Sequence, residues 1–102
     1  MRVLRYSKSF HIELAVLLAQ GVNRFGHLVV AQKRALVIQT IENALANHPR
    51  RPIDPVLGIS AYHVHKTPFV LLYDYDDNEL RVHLIIHANA DRSFIDLSTV
   101  VW

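Results

Sequence analysis

Four of the seven histidines of this chain lie between residues 60 and 92, where they alternate with apolar residues. Successive residues of a β-strand point to opposite faces of the sheet. One alternating set is apolar and is expected to face the core: Tyr62, Val64, Val82, Leu84 and Ile86. The other set is basic: His63, His65, Arg81, His83 and His87. The alternation predicts a sheet with one apolar face and one basic face.

The basic set has the chemistry needed to bind and cleave a phosphodiester. Arginine can grip a phosphate with two parallel hydrogen bonds, and histidine, which titrates near pH 6.5, can give or take a proton during cleavage. Two strands on either side of a third lie about 10 Å apart, so long side chains from both could reach one phosphate. Lys66 and Arg92 lie near strand ends, where they would add charge at the rim.

Two other interpretations of these histidines remain open. A solvated sheet face normally carries polar and charged residues, so each histidine can simply be a surface residue. His63, His65, His83 and His87 could instead hold a metal ion, because alternating strand histidines present imidazoles on one side. The chain has no cysteine, and no carboxylate stands at a clear ligand spacing. We therefore predict neither a metal site nor a cofactor.

Two neighbouring groups have simpler explanations. The aromatic residues Phe69, Tyr73 and Tyr75 could stack on nucleic-acid bases, but their strand spacing favours a place in the core. The carboxylates of residues 74–77 resemble paired catalytic acids, yet in a tight turn they are expected to be turn formers and solvated charges.

The elements that position these residues can be predicted from periodicity. A short strand is expected at Val3–Tyr6, and two amphipathic helices at residues 9–24 and 28–46, the first capped by Ser7 or Ser9. Three prolines in HPRRPIDP predict an extended connector. Three strands follow, at Ile59–Lys66, Phe69–Tyr75 and Leu80–His87, and the apolar end VVW predicts a tail that docks on the body.

This order predicts an α+β fold: an N-terminal strand, an antiparallel helical hairpin, then a three-stranded antiparallel meander. The helices should pack on one face of the sheet and leave the opposite face open. Residues Phe69–Tyr75 are apolar on both faces, so this strand should be central.

Length and composition set the remaining limits. With 102 residues, of which 51% are hydrophobic, residues 1–102 are predicted to form a single domain. The sequence shows no signal peptide and no apolar run near the roughly 18 residues of a membrane span, which predicts a cytoplasmic protein without membrane contact. The formal charge of +2 permits a polyanionic partner without requiring one.

Over essentially its whole length the chain resembles the RelE/ParE superfamily of bacterial type II toxin-antitoxin toxins. The resemblance is carried by the early strand, the helical hairpin ending in ENALANHPRRP, the segment LGISAYHVHKTPFVLLYDYDDNELRVHLIIHANADR and the tail IDLSTVVW. It implies a small toxin that is neutralised by an antitoxin segment wrapped around it. RelE-like members cleave mRNA in the ribosomal A site without a metal ion, whereas ParE-like members inhibit DNA gyrase and are not known as nucleases.

The resemblance also implies residue roles. The family histidine near the end of the last strand matches His87. On this basis we expect a ribosome-dependent mRNA endoribonuclease, in which His87 transfers the proton and Arg81 and Arg92 stabilise the phosphate charge. The RNA would be positioned by His83, His63 and Lys66.

The chain also departs from the family pattern. His63 stands where many relatives have arginine, and Ser93-Phe94 offers no phenol where nuclease branches often have tyrosine. The missing phenol and the modest net charge favour the alternative of a ParE-like gyrase inhibitor. A second alternative is an inactive toxin fold that only binds antitoxin.

Overall fold

The computed structural model describes residues 2–102 and contains the predicted elements in the predicted order. They are β1 (Val3–Tyr6), α1 (Lys8–Phe25), α2 (His27–Gln39), β2 (Ser60–His63), β3 (Phe69–Tyr75) and β4 (Glu79–His87). Helix α2 continues into a π-helical turn at Thr40–Leu45, and the C-terminal tail contains two short 3₁₀ turns at Arg92–Phe94 and Leu97–Thr99.

The strands form one sheet in the order β1-β4-β3-β2. Strand β1 pairs with β4 in parallel, and the other two pairs are antiparallel. Both helices contribute to the apolar core on one face of this sheet. The predicted α+β fold is therefore confirmed, as is the central position of β3, which has neighbours on both edges.

The helical hairpin begins at a serine cap and turns at a glycine. The Ser7 hydroxyl accepts a hydrogen bond from the Phe10 amide (2.8 Å), which satisfies a free donor of the first turn. Gly26 alone separates α1 from α2, with φ 83° and ψ 167°, a conformation that is essentially restricted to glycine. Within residues 2–102, no helix is long and apolar enough to cross a membrane.

The main core lies between the helices and the sheet. Its fully buried residues include Phe10, Ile41, Leu45, Leu71 and Tyr73. The Tyr73 hydroxyl donates to the carbonyl oxygen of Pro49 (2.6 Å), which ties the end of the helical region to the middle of the sheet. The predicted core position of Tyr73 is confirmed.

The opposite face of the sheet is covered over part of its area, contrary to the expectation of an open face. Val70, Leu72 and Ile86 form a second buried cluster there. Partly buried residues of the connector and the tail pack against it, among them Leu57, Ile59, Ile95 and Leu97. We call this side of the sheet the outer face.

A β-bulge in β4 explains why the predicted alternation fails. Leu72 pairs with Leu84 but Tyr73 pairs with Val82, so His83 is an extra residue in its strand. Beyond this point the alternation reverses, and Leu84 and Ile86 belong to the outer face instead of the helix side. The prediction that they face the helices is wrong, because a bulge shifts all later side chains to the other face.

Candidate functional site

The candidate site lies on the outer face, where three strands bring charged residues side by side. The parallel pairing of β1 with β4 places Arg5 opposite Arg81, and the antiparallel pairing of β3 with β4 places Asp74 opposite Arg81. His83 joins this group through the bulge, and Trp102 reaches it from the end of the tail. We call Arg5, Asp74, Arg81, His83 and Trp102 the outer-face cluster.

Arg81 is bound by carboxylates of its own hairpin. Its guanidinium makes two hydrogen bonds to Asp74 (3.0 and 2.9 Å), one to Asp76 (2.9 Å) and one to Glu79 (2.7 Å). The hydrogen bonds that Arg81 donates to Asp74, Glu79 and Asp76 raise the pKa of Arg81 above its usual range. The Arg81 guanidinium, helped by the Glu79 and Asn78 amides, lowers the pKa of Asp76 to about 2. These four hydrogen bonds occupy most of the five N–H donors of an arginine, and the three carboxylates offset its charge, which makes Arg81 a poor phosphate ligand.

His83 forms an acid-imidazole pair with Asp74. Burial would raise the pKa of Asp74, but the hydrogen bonds from Arg81 and His83 outweigh it and lower that pKa. The His83 Nε2 lies 2.8 Å from the Asp74 carboxylate, and because an ionised carboxylate only accepts, Nε2 must carry the hydrogen. In the neutral ring Nδ1 is then the basic nitrogen, and it is buried without a hydrogen-bond partner among residues 2–102.

Trp102 covers this histidine. The two rings meet edge to face with centroids 4.8 Å apart, and the Arg5 guanidinium lies 5.1 Å from the centre of the indole ring. The tail is fixed by two hydrogen bonds between Ser9 and Val101 (2.8 and 3.2 Å). A carboxylate-oriented histidine is the usual arrangement of a general base, but here the basic nitrogen is buried.

Two other predicted site residues, His63 and Arg92, hold the backbone in place, and Lys66 lies exposed in a turn. The His63 Nε2 lies 2.6 Å from the carbonyl oxygen of Thr67, so it donates across the turn between β2 and β3. Lys66 lies in that turn with φ 63°, and its side chain is exposed. Arg92 donates to the carbonyls of Ala88 and Ala90 (both 2.8 Å) and lies 3.4 Å from the carboxylate of Asp54. Its contacts fasten the tail to the connector.

His87 lies on the helix side of the sheet, and the prediction that it faces the same way as Arg81 is wrong. Its cross-strand partner is Phe69, a residue of the main core. It lines a small cleft together with Arg24 and Lys33 of the helical hairpin. Its Nδ1 accepts the Asn89 amide (3.1 Å), so Nε2 carries the hydrogen of the neutral ring.

The predicted site residues therefore occupy separate places. Arg81 and His83 lie together on the outer face, while His87 lies six residues from Arg81, about 20 Å along the strand. The four histidines proposed as alternative metal ligands are not brought together either. In residues 2–102, no three His, Cys, Asp or Glu side chains are grouped so that they could hold a metal ion.

Sequence reasoning missed several members of these groups. Asp74 had an available signal, because a carboxylate seven residues before Arg81 across a tight turn is a natural cross-strand partner. For Trp102 the sequence offers only its apolar character, which predicts that the tail packs on the body but not where it packs. Arg24 and Lys33 lie in a stretch without acidic residues, from residue 14 to 41, and that absence was the signal for a basic surface.

The fold defines the class of protein that the chain resembles. It is similar to a chain of a solved structure described as the chromosomal ParDE TA system from P. aeruginosa, with a TM-score of 0.73 and 15% sequence identity. The match covers 85% of this chain and 96% of that chain. The fold is thus RelE/ParE-like. No protein-family model matches the sequence, and comparison with curated proteins gave no significant match.

Proposed function

We propose that this chain is the toxin of a type II toxin-antitoxin pair, with an antitoxin protein as its partner. The observation that carries the proposal is the fold, which it shares over nearly the whole of a chain from a ParDE system. The resemblance noted in the sequence supports the same class independently, since it rests on residue patterns. Its targets would be cytoplasmic, which is where we expect the protein to act.

We further propose that the toxin acts by binding its target, with DNA gyrase as the expected target. A nuclease without a metal needs its proton-transfer and phosphate-binding groups within hydrogen-bond reach of one phosphate. Arg81 is held by three carboxylates, Arg92 is held by Asp54 and two carbonyls, and His87 lies about 20 Å along the strand from Arg81. This separation favours a ParE-like inhibitor over a RelE-like nuclease.

Two assays on the purified protein test this proposal. DNA supercoiling by gyrase should fall as the protein is added, while mRNA on translating ribosomes should remain uncut. The antitoxin, added in excess, should restore supercoiling and serves as the control for specificity. Cleavage of message in the ribosomal A site with normal supercoiling would contradict the proposal.

The nuclease remains a second candidate because of the position of His87. Its side chain is exposed, its Nε2 carries a transferable proton, and Arg24 and Lys33 line the same cleft. If the protein cuts mRNA, His87→Ala should abolish cutting without loss of folding. His65→Ala, which removes another exposed histidine outside this cleft, is the matched control and should cut normally.

A further inference from the structure

A small apolar cleft lies at the end of the molecule where the helical hairpin turns. It has a volume of about 150 Å³ and an apolar floor formed by Leu17, Phe25, Pro68 and Phe69. A cavity of this size can take one benzene-sized group. Phe25 is 54% exposed, which is unusual for a large aromatic side chain and leaves its ring available to a partner.

The rim of the cleft is basic. Arg24, Lys33 and His87 line it, and none of the lining residues is acidic. The Arg24 guanidinium lies 5.6 Å and the Lys33 ammonium 6.0 Å from the centre of the Phe25 ring. Among the residues that the structure describes, neither cation is paired with a carboxylate.

The charge of the molecule is divided between its two ends. Residues 14–41, which form most of the hairpin, contain no Asp or Glu, while Asp74, Asp76, Asp77 and Glu79 cluster at the turn between β3 and β4. That turn is at the far end of the strands from Phe69 and His87, about 20 Å away. The cleft therefore lies in a positive region that no carboxylate of the described chain neutralises at close range.

From these observations we propose that the cleft binds an acidic peptide segment through one apolar side chain. The anchor would enter the cavity and stack on Phe25, and flanking carboxylates would pair with Arg24 and Lys33. A phosphate backbone would satisfy the cations but would leave the apolar floor unfilled, so charge and floor together favour a peptide. The assignment of this segment to the antitoxin rests on the proposed function. Its predicted chemistry, one apolar side chain flanked by carboxylates, rests on the cleft alone.

A synthetic peptide tests the site directly. The probe is a fluorescent peptide of about 12 residues that carries one central Phe flanked on both sides by Glu. It should bind the full chain, and replacing its Phe with Ser or its Glu residues with Gln should each weaken binding about tenfold. Arg24→Glu combined with Lys33→Glu should weaken binding by a similar factor, because two attractions become repulsions.

Arg34→Glu is the matched control, since Arg34 is an exposed cation of the same helix that does not line the cleft. It should bind the peptide as the wild type does. If the double charge reversal impairs folding, Arg24→Gln with Lys33→Gln keeps the test valid. Circular dichroism establishes that each variant is folded.

Three results would overturn the proposal: no binding of the peptide, equal binding when its Phe is replaced, or tighter binding of single-stranded DNA that is lost in the Arg24 and Lys33 variants. The last result would assign the cleft to nucleic acid. Because peptide binding needs no toxin activity, its failure would leave the toxin proposal untouched. Conversely, a protein that is harmless to cells could still bind the peptide.

Discussion

Arg81 has a side chain suited to binding phosphate, but in the structure it forms ion pairs that join two strands. Its four hydrogen bonds to Asp74, Asp76 and Glu79 join the two strands of one hairpin on either side of their turn. An unpaired arginine on a strand is available to bind a phosphate. An arginine paired with three carboxylates instead stabilises the pairing of the two strands. The sequence contains all four residues within eight positions, 74–81, so this pairing was open to prediction.

The ion pairs of Arg81 should make stability depend on pH in the acid range. The pKa values of Asp74 and Asp76 are lowered in the folded state, that of Asp76 to about 2, so their stabilisation is complete above the unfolded-state pKa of about 4. It is lost as the pH falls towards 2. Arg81→Gln should lower the urea midpoint at pH 7, and the difference from wild type should shrink between pH 4 and pH 2. A difference that is constant over this range would contradict the assignment.

Tyr73 provides a second test at the residue scale. Tyr73→Phe removes the hydroxyl that donates to the Pro49 carbonyl and leaves that oxygen buried without its partner. The cost should be about 1–3 kcal/mol in the free energy of unfolding, measured with urea. Tyr75→Phe, on the same face of the same strand and only partly buried, is the control and should change stability by less than about 0.5 kcal/mol. Equal effects of the two changes would show that the Pro49 contact adds nothing.

Among the elements, the hairpin depends on one glycine. Gly26 has φ 83° and ψ 167°, and a Cβ added there would meet no atom within 4 Å. Gly26→Ala should therefore destabilise the protein by about 1–3 kcal/mol through backbone strain alone. His27→Ala, at the exposed first residue of α2, is the neighbouring control and should stay within about 0.5 kcal/mol. An unchanged stability of Gly26→Ala would mean that the linker can take another conformation.

Strand β4 shows where prediction from the sequence ends. The segment LRVHLIIH alternates well enough to predict a strand. A bulge leaves this alternation intact on each side of it, and only moves the later side chains to the opposite face of the sheet, so the sequence does not reveal it. The bulge at His83 is stabilised by contacts that are distant in sequence, since the Ser7 hydroxyl donates to the His83 carbonyl (2.6 Å). The order and type of the elements follow from the local sequence pattern. The face on which His87 lies depends instead on the bulge at His83, which the contact with Ser7 stabilises.

The bulge and the tail can be tested together with introduced cysteines, because the chain has none of its own. Leu84 faces the tail and Ile85 faces the helices. Removing residues 96–102 should speed thiol labelling of a Leu84→Cys variant and leave that of Ile85→Cys unchanged. Faster labelling at position 85 instead would mean that β4 has no bulge. Circular dichroism serves as the control that the truncated chain is still folded.

On the scale of the whole molecule, the fold separates charges of opposite sign. The acidic turn between β3 and β4 lies at one end of the strands, and the basic cleft lies at the other. The residues predicted to be catalytic, His87, Arg81 and Arg92, do not lie together. Length and composition predicted a single domain, and the order of the predicted elements predicted the α+β fold. The candidate functional surfaces were harder to predict, because they depend on which charged side chains the fold brings together in ion pairs.

Growth after induction of the protein alone, without antitoxin, is the decisive test of whether it is a toxin. We predict that growth stops, and that the His87→Ala variant, which leaves the main core and the outer-face cluster intact, stops growth equally well. Normal growth of cells that contain the wild-type protein at a confirmed level in folded form would contradict the assignment as a toxin. Arrest by the wild type but not by His87→Ala would instead contradict action by binding alone and favour the nuclease.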